Sequence, residues 1–374
     1  MAGARDWTPY EDAGLIPSTE PEATGRRALL ELLIEQGCGI DEMIEAHRRG
    51  RLFALVGDRI VRPGARALTF AEVAERAGST DPTVRRIWRA MGLPGWDSDD
   101  GIASEADAEA IAVLAELVPI FDEERVLAHA RAVGASLSRI AEATNAIGRT
   151  LTADGSLTTS GSEVETARYW EALAPYIPAL GRVLDVFSRH HFELARDHFE
   201  RTGSYDLMLR SLTRAAVGFV DMSGFTAATE RLGEIEFARL MTAFATQVEQ
   251  TVQELGGRVV KFVGDAAMIV APDADVLATI TSELVAGWVE SSDGLTLHAG
   301  LAYGELLCQD GDYFGSPVNI AARLAALAGP GAILATSTFG DGLDPDRWAI
   351  ERLDPQPVRG IADPVATCLV RPRA

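Results

Sequence analysis

Three short strings place charged residues where apolar runs end: FVDMSGFT (219–226), KFVGDA (261–266) and DYFGSPVNIAAR (312–323). Asp221 closes the run VGFV and precedes a small-residue turn that opens a helix. Such a turn presents free backbone N–H groups, which bind phosphate, and this makes Gly224, Phe225 and Thr226 candidates for an anionic ligand. Asp265 sits at a Gly-Asp tip between VVKFV and AAMIVA, a hairpin pattern. If these strands are neighbours, Asp221 and Asp265 lie at one sheet end and can share a pair of Mg²⁺ ions. Each aspartate alone also reads as a cap or turn residue. In the third string, Asn319 and Arg323 are four apart on a helix, so they share a face. An arginine there suits the spread negative charge of a transferring phosphoryl group.

Lys261 is the chain's single lysine, and the other 33 of its 34 basic residues are arginine. Two readings are open. An arginine-biased composition leaves one lysine by chance, or this position needs a compact ammonium where a planar guanidinium does not fit. Lys261 also lies four residues before Asp265, roughly 13 Å along an extended strand at about 3.3 Å per residue, too far for one site to use both comfortably.

In order and spacing, the three strings resemble the class III nucleotidyl cyclases, over about residues 211–374. The resemblance implies an α+β catalytic domain of ferredoxin-like (βαββαβ-type) fold. By position it implies that Asp221 and Asp265 bind two Mg²⁺ or Mn²⁺ per active site and that Lys261 and Asp312 recognise adenine. Asn319 would orient the ribose and Arg323 would stabilise the transition state. It further implies a homodimer in which the metal aspartates of one chain work with the Lys, Asp, Asn and Arg of the other, and hence an inactive monomer. The residue types suit the task. Adenine offers an acceptor at N1 and a donor at its N6 amine, which lysine and carboxylate complement, whereas guanine reverses that polarity. ATP is therefore the expected substrate, with GTP the alternative. No GGDEF-like string occurs, so a diguanylate cyclase has no support.

The elements that must position these residues begin near residue 211, where strand-like runs (AAVGFVD, GRVVKFVG, AAMIVA, LTLHAGLAYGELL, GAILAT) alternate with helical ones. Ahead of them, residues 1–160 read as a helical regulatory domain and 161–210 as a helical connector with breaks at Pro175 and Pro178 and a stop at Gly203. GRTLTADGSLTTSGSE (148–163) reads as an exposed linker. Residues 68–94 have helix-turn-helix spacing, with Thr69 as an N-cap and Arg85, Arg86 and Arg89 on the second helix. They raise the alternative of a DNA-binding regulator whose second domain senses nucleotide. Charge opposes it: the net charge is −21, with 33 acidic against 22 basic side chains in residues 1–205 and 22 against 12 in the rest. The charge balance therefore argues against nucleic acid as a partner.

Three cysteines without CxxC spacing exclude a disulfide scaffold or structural zinc site, and no apolar run reaches the length of a membrane span. The expected location is cytoplasmic. Five of the six histidines precede residue 206, and His190, His191 and His198 fall just before the second domain. Histidine changes charge between pH 5 and 8. HHFELARDH reads equally as a solvated helix face. The layout resembles mycobacterial cyclases whose N-terminal domain inhibits the catalytic dimer and responds to acid, which implies a role for these three near a switch.

Overall fold

The structure is a computed structural model that describes residues 5–61, 68–150, 163–201, 212–225, 230–288 and 295–373. The chain divides into two compact units, Met1–His190 and His191–Ala374.

The described part of the first unit is helical: α1 (Thr8–Asp12), α2 (Glu22–Glu35), α3 (Ile40–Arg48), α4 (Leu55–Val61), α5 (Phe70–Arg76), α6 (Asp81–Ala90), α7 (Glu105–Phe121), α8 (Glu123–Thr150), α9 (Glu163–Leu173) and α10 (Ile177–Arg201), whose last residues belong to the second unit. Its apolar stripes close two cores. One gathers Leu29, Leu30, Leu33, Met43, Val56 and Ala167, and the other Phe70, Val73, Val84, Ile87, Trp88 and Ile111. The break between α9 and α10 falls at Pro175, and Pro178 is the second residue of α10, where a missing N–H is tolerated. Gly203 lies outside the described residues. Of the expected linker over 148–163, residues 148–150 belong to α8 and Glu163 begins α9, and 151–162 are not described.

The helix pair at 68–94 forms, and its start is fixed by a reciprocal capping box between Thr69 and Glu72. The second helix is capped by Thr80, which accepts from the Thr83 N–H. Its arginines are engaged within their own unit. Arg85 pairs with Asp81 (2.6 Å) and Asp99 (2.9 Å), Arg86 with Glu123 (2.7 Å), and Arg89 lies over the Trp96 ring at 4.5 Å. Arg85 and Arg86 thus each face carboxylates of their own unit, while Arg89 keeps its charge over an indole ring.

The second unit holds β1 (Leu212–Ser223), α11 (Glu234–Glu254), β2 (Arg258–Val263), β3 (Ala266–Ala271), α12 (Ala274–Trp288), β4 (Thr296–Gln309), β5 (Asp312–Phe314), α13 (Ser316–Leu327), β6 (Ile333–Thr336), α14 (Ser337–Gly340), β7 (Trp348–Gln356) and β8 (Val365–Pro372). The order β2-β3-β1-β4-β6-β8-β7, with β5 paired to β4, contains the expected βαββαβ core; among the described residues, β4 and β6 are the one parallel pair. Strands β7 and β8 extend it beyond the runs legible in the sequence. Strand β1 is central, covered on both faces. Val220 and Met222 face a core with α11 and α12, where Phe244 meets Phe262 and Trp288 edge to face. Burial of each such side chain contributes about 1.5–3 kcal/mol. Ala215, Val217 and Phe219 face the opposite side, with Tyr313 and Ala321.

Helix α13 lies against β4 and β1, and Gly300 sets how closely. A Cβ at this position would stand 2.0 Å from the Ala325 nitrogen and 2.2 Å from the Ala321 oxygen. Among the described residues, no helix is long and apolar enough to cross a membrane.

Candidate active site

Asp221 lies within β1 rather than at its end, because the ladder with β4 continues through Ser223 paired with Thr296. In that ladder Asp221 faces Ala266 of β3 on one side and His298 of β4 on the other. Its Oδ1 accepts the Met222 N–H at 2.9 Å. Asp265 occupies the two-residue turn between β2 and β3, where Gly264 takes a φ of +63° that other residues resist. Burial and then the adjacent Asp221 carboxylate push the Asp265 carboxyl above its ordinary pKa. The hairpin thus brings the two expected metal ligands together.

This donor set fits a hard divalent cation. Two carboxylates raise each other's energy until positive charge joins them, and Mg²⁺ is commonly held by one or two carboxylates while phosphate and water oxygens complete its shell. Among the described residues, no cluster of three or more His, Cys, Asp or Glu could hold a metal by itself, so a bound ion here would depend on such outside oxygens.

The crowding has a consequence for stability. Because folding raises the Asp265 pKa, the ionised carboxylate is less favourable in the fold than in the unfolded chain. That penalty is present above the folded pKa and absent below the ordinary carboxylate range. Asp265→Asn is therefore expected to raise Tm at neutral pH without divalent cation, modestly because solvent screens the group. The gain should vanish when calorimetry is repeated at about pH 3. A lower Tm at neutral pH would contradict the crowding.

Lys261 of β2 donates to Asp312 Oδ2 of β5. The hairpin Asp310-Gly311 makes this possible: both residues have positive φ (54° and 80°), the geometry of a two-residue β turn, and it folds β5 back on β4. Asp312 is held in turn by the Tyr313 N–H, which its Oδ1 accepts at 2.8 Å, and the Tyr313 side chain is buried below the sheet surface. That Asp-Gly dipeptide is a hairpin signal in the sequence, and it is what places Asp312.

Gly315 and Pro317 start α13, which carries Asn319 and Arg323 on its exposed face while Ala321, Leu324 and Ala325 anchor it. Arg323 has no ion-pair partner among the described residues. At the end of β1, Gly224 has a φ of +84°, and the Phe225 ring packs against Phe237 of α11 at 5.6 Å, so Phe225 offers a ligand its backbone rather than its ring. Thr226 lies outside the described residues. His190 and His191 are exposed on α10, and the side chain of His198 is not described.

One residue of the site was not anticipated. His298, buried in β4, stands 3.7 Å from Asp221 Oδ2 through Nε2, and its Nδ1 meets Ser223 Oγ at 2.7 Å.

The sheet order, the acidic pair and the lysine–aspartate pair are the arrangement expected of a nucleotide cyclase domain. In agreement, the adenylate and guanylate cyclase catalytic domain family matches residues 208–371, and the adenylate cyclase regulatory domain family matches residues 13–192. An uncharacterized protein of Mycobacterium tuberculosis (strain H37Rv) is 36% identical over 98% of this chain and 94% of its own length. A pH-sensitive adenylate cyclase of Mycobacterium tuberculosis (strain CDC 1551) is 31% identical over 92% of this chain and 88% of its own length. An adenylate cyclase of Streptomyces coelicolor is 31% identical over 78% and 75%. The chain belongs to the class III nucleotide cyclases, with an adenylate cyclase regulatory domain ahead of the catalytic domain.

Proposed function

We propose that this chain is an adenylyl cyclase, a phosphorus–oxygen lyase that converts ATP to 3′,5′-cyclic AMP and pyrophosphate. The observation that carries the reading is the Lys261–Asp312 pair, one donor and one acceptor fixed together on neighbouring strands. Adenine N1 accepts from the lysine and the N6 amine donates to the carboxylate. A guanine edge would meet donor with donor and acceptor with acceptor, costing about 1–3 kcal/mol per unpaired buried group. The adenylate cyclases among the relatives support ATP over GTP.

Divalent ions, Mg²⁺ or Mn²⁺, held by Asp221 and Asp265 would make the ribose 3′-OH more acidic and neutralise the triphosphate. The protein's own groups do the rest. Asn319 orients the ribose so that its 3′ oxygen faces the α-phosphorus in line. The bond from that oxygen to phosphorus forms as the bond to pyrophosphate breaks, and Arg323 offsets the charge that develops. Backbone N–H groups of Gly224 and Phe225, continued by Thr226, hold the β and γ phosphates.

The working unit in this reading is a homodimer with sites shared between chains. Lys261 pairs with Met268, which pairs with Phe219, two residues from Asp221. Two strand spacings of about 4.8 Å and two residues of about 3.3 Å separate Lys261 from Asp221 by about 12 Å, which supports assigning them to different sites. We take residues 1–160 as the inhibitory regulatory domain, 161–210 as the connector and 211–374 as the catalytic domain.

The test is to incubate the full chain with ATP or GTP and Mn²⁺ at two pH values and measure both cyclic products. Cyclic AMP is expected, and its absence would overturn the assignment. Lys261→Arg keeps the charge but brings a bulky fork, and should lose about tenfold or more of the activity. Near-normal turnover of ATP by this variant would return the lone lysine to a compositional accident.

Regulation by acid is the reading for α10, supported by the pH-sensitive relative. Replacing His190, His191 and His198 together with Gln should change the pH profile of the full chain. A profile superimposable on the wild type would remove these histidines from the switch.

A further inference from the structure

His298 is a buried polar residue between Leu297 and Ala299, both fully buried, in an otherwise apolar stretch of β4. A histidine is costly in such a place unless both ring nitrogens find partners. They do. Nδ1 lies 2.7 Å from Ser223 Oγ, and Nε2 lies 3.7 Å from Asp221 Oδ2. The second distance is electrostatic rather than that of a hydrogen bond. If Nδ1 carried the only ring proton, the Nε2 lone pair would face a carboxylate. Both contacts become favourable together when Ser223 donates to Nδ1 and the proton sits on Nε2.

The two oxygens of Asp221 are thus addressed separately. Oδ1 takes the Met222 N–H, and Oδ2 faces the Nε2 of His298. Because the two oxygens turn together about the Cβ–Cγ bond, the Met222 contact to Oδ1 and the His298 contact to Oδ2 favour the same rotation and reinforce one another. Outer partners of this kind set the orientation of ligands in metal sites.

We propose that His298 is a positioning residue for the cation site: with Ser223 fixing its tautomer, it holds Asp221 in the orientation that lets the Asp221–Asp265 pair accept a divalent ion. This rests on the reading of Asp221 and Asp265 as metal ligands, and the experiment separates the two. Binding of Mn²⁺ to the full chain is followed by electron paramagnetic resonance without nucleotide, alongside calorimetric Tm, for wild type, His298→Leu, His298→Gln, Ser223→Ala and Asp221→Asn.

His298→Leu keeps the volume and removes both ring nitrogens, and should weaken Mn²⁺ binding about 10- to 100-fold. His298→Gln places an amide donor near the position of Nε2 and should recover most of that loss. Ser223→Ala should weaken binding less than His298→Leu. If His298→Leu does not fold, the ordering of wild type, Gln and Ser223→Ala decides alone: Gln near wild type with a loss in Ser223→Ala supports the proposal. Wild-type Mn²⁺ affinity in both His298→Leu and Ser223→Ala, whatever their Tm, would overturn it. So would failure of Gln to bind better than Leu. Asp221→Asn should abolish binding. If it binds Mn²⁺ like the wild type, the metal-site reading itself fails.

Discussion

Arg323→Ala is expected to lower kcat on the order of 10³-fold while leaving Tm and the KM for ATP close to wild type. The magnitude follows from arginines that meet charge developing on a transferring phosphoryl group. The selectivity for kcat follows from position. Arg323 is exposed on α13 and has no ion-pair partner among the described residues, so its removal opens no cavity and orphans no buried charge. The anchor of the helix lies in Ala321, Leu324 and Ala325, which the substitution does not touch. Steady-state kinetics with Mn²⁺-ATP and a thermal scan check both halves. A tenfold loss or less, or a matching fall in Tm, would remove Arg323 from the transition state. Mixing Arg323→Ala with Asp221→Ala chains extends the test. If sites are shared, random pairing makes half the dimers mixed, each with one intact site, and about a quarter of wild-type activity should return. No recovery would argue that each chain builds its own site.

Gly300→Ala is expected to damage stability and activity together. The added methyl would fall 2.0 and 2.2 Å from backbone atoms of Ala325 and Ala321, and no side-chain rotation relieves a backbone clash. Helix and strand must separate. Overpacking costs typically about 1–3 kcal/mol, and a backbone clash belongs at or beyond the upper end. At about 2–4 °C per kcal/mol, a fall in Tm of roughly 6–12 °C follows. Activity should fall further than the unfolded fraction explains, because α13 is the platform for Asn319 and Arg323. By contrast, a Cβ at Gly25, which has no positive φ, would meet nothing within 4 Å. A Gly300→Ala protein within a degree of wild type and fully active would mean that α13 is not held where it is by this contact.

Much of the catalytic unit was legible because its strands announce themselves locally. The runs at 215–221, 257–264, 266–271 and 295–307 are apolar and bounded by turn residues, and they became β1 to β4. Strand β7 is different. Asp354 and Pro355 interrupt it, Glu351 and Arg352 are solvated, and as the sheet edge it answers to β8 rather than to a core of its own. Motif spacing carried the aspartates, the lysine and the α13 pair, since those residues are read in order along the chain. His298 is 77 positions from Asp221 and meets it only through ladder register, which composition does not encode. The arginines of α6 make the same point in reverse. Asp81 lies within a turn of Arg85, but Asp99 and Glu123 reach the helix only after the unit has folded.

If Lys261 and Asp312 read the base as proposed, their bond to each other makes that site its own competitor. Any purine entering it must first part an ammonium from a carboxylate, and every nucleotide faces that same threshold. A base that satisfies both freed charges recovers the loss, while one that mismatches them leaves the protein's own pairing as the better alternative. Selectivity then resides less in how tightly the correct base is gripped than in how readily the pocket reverts to holding itself.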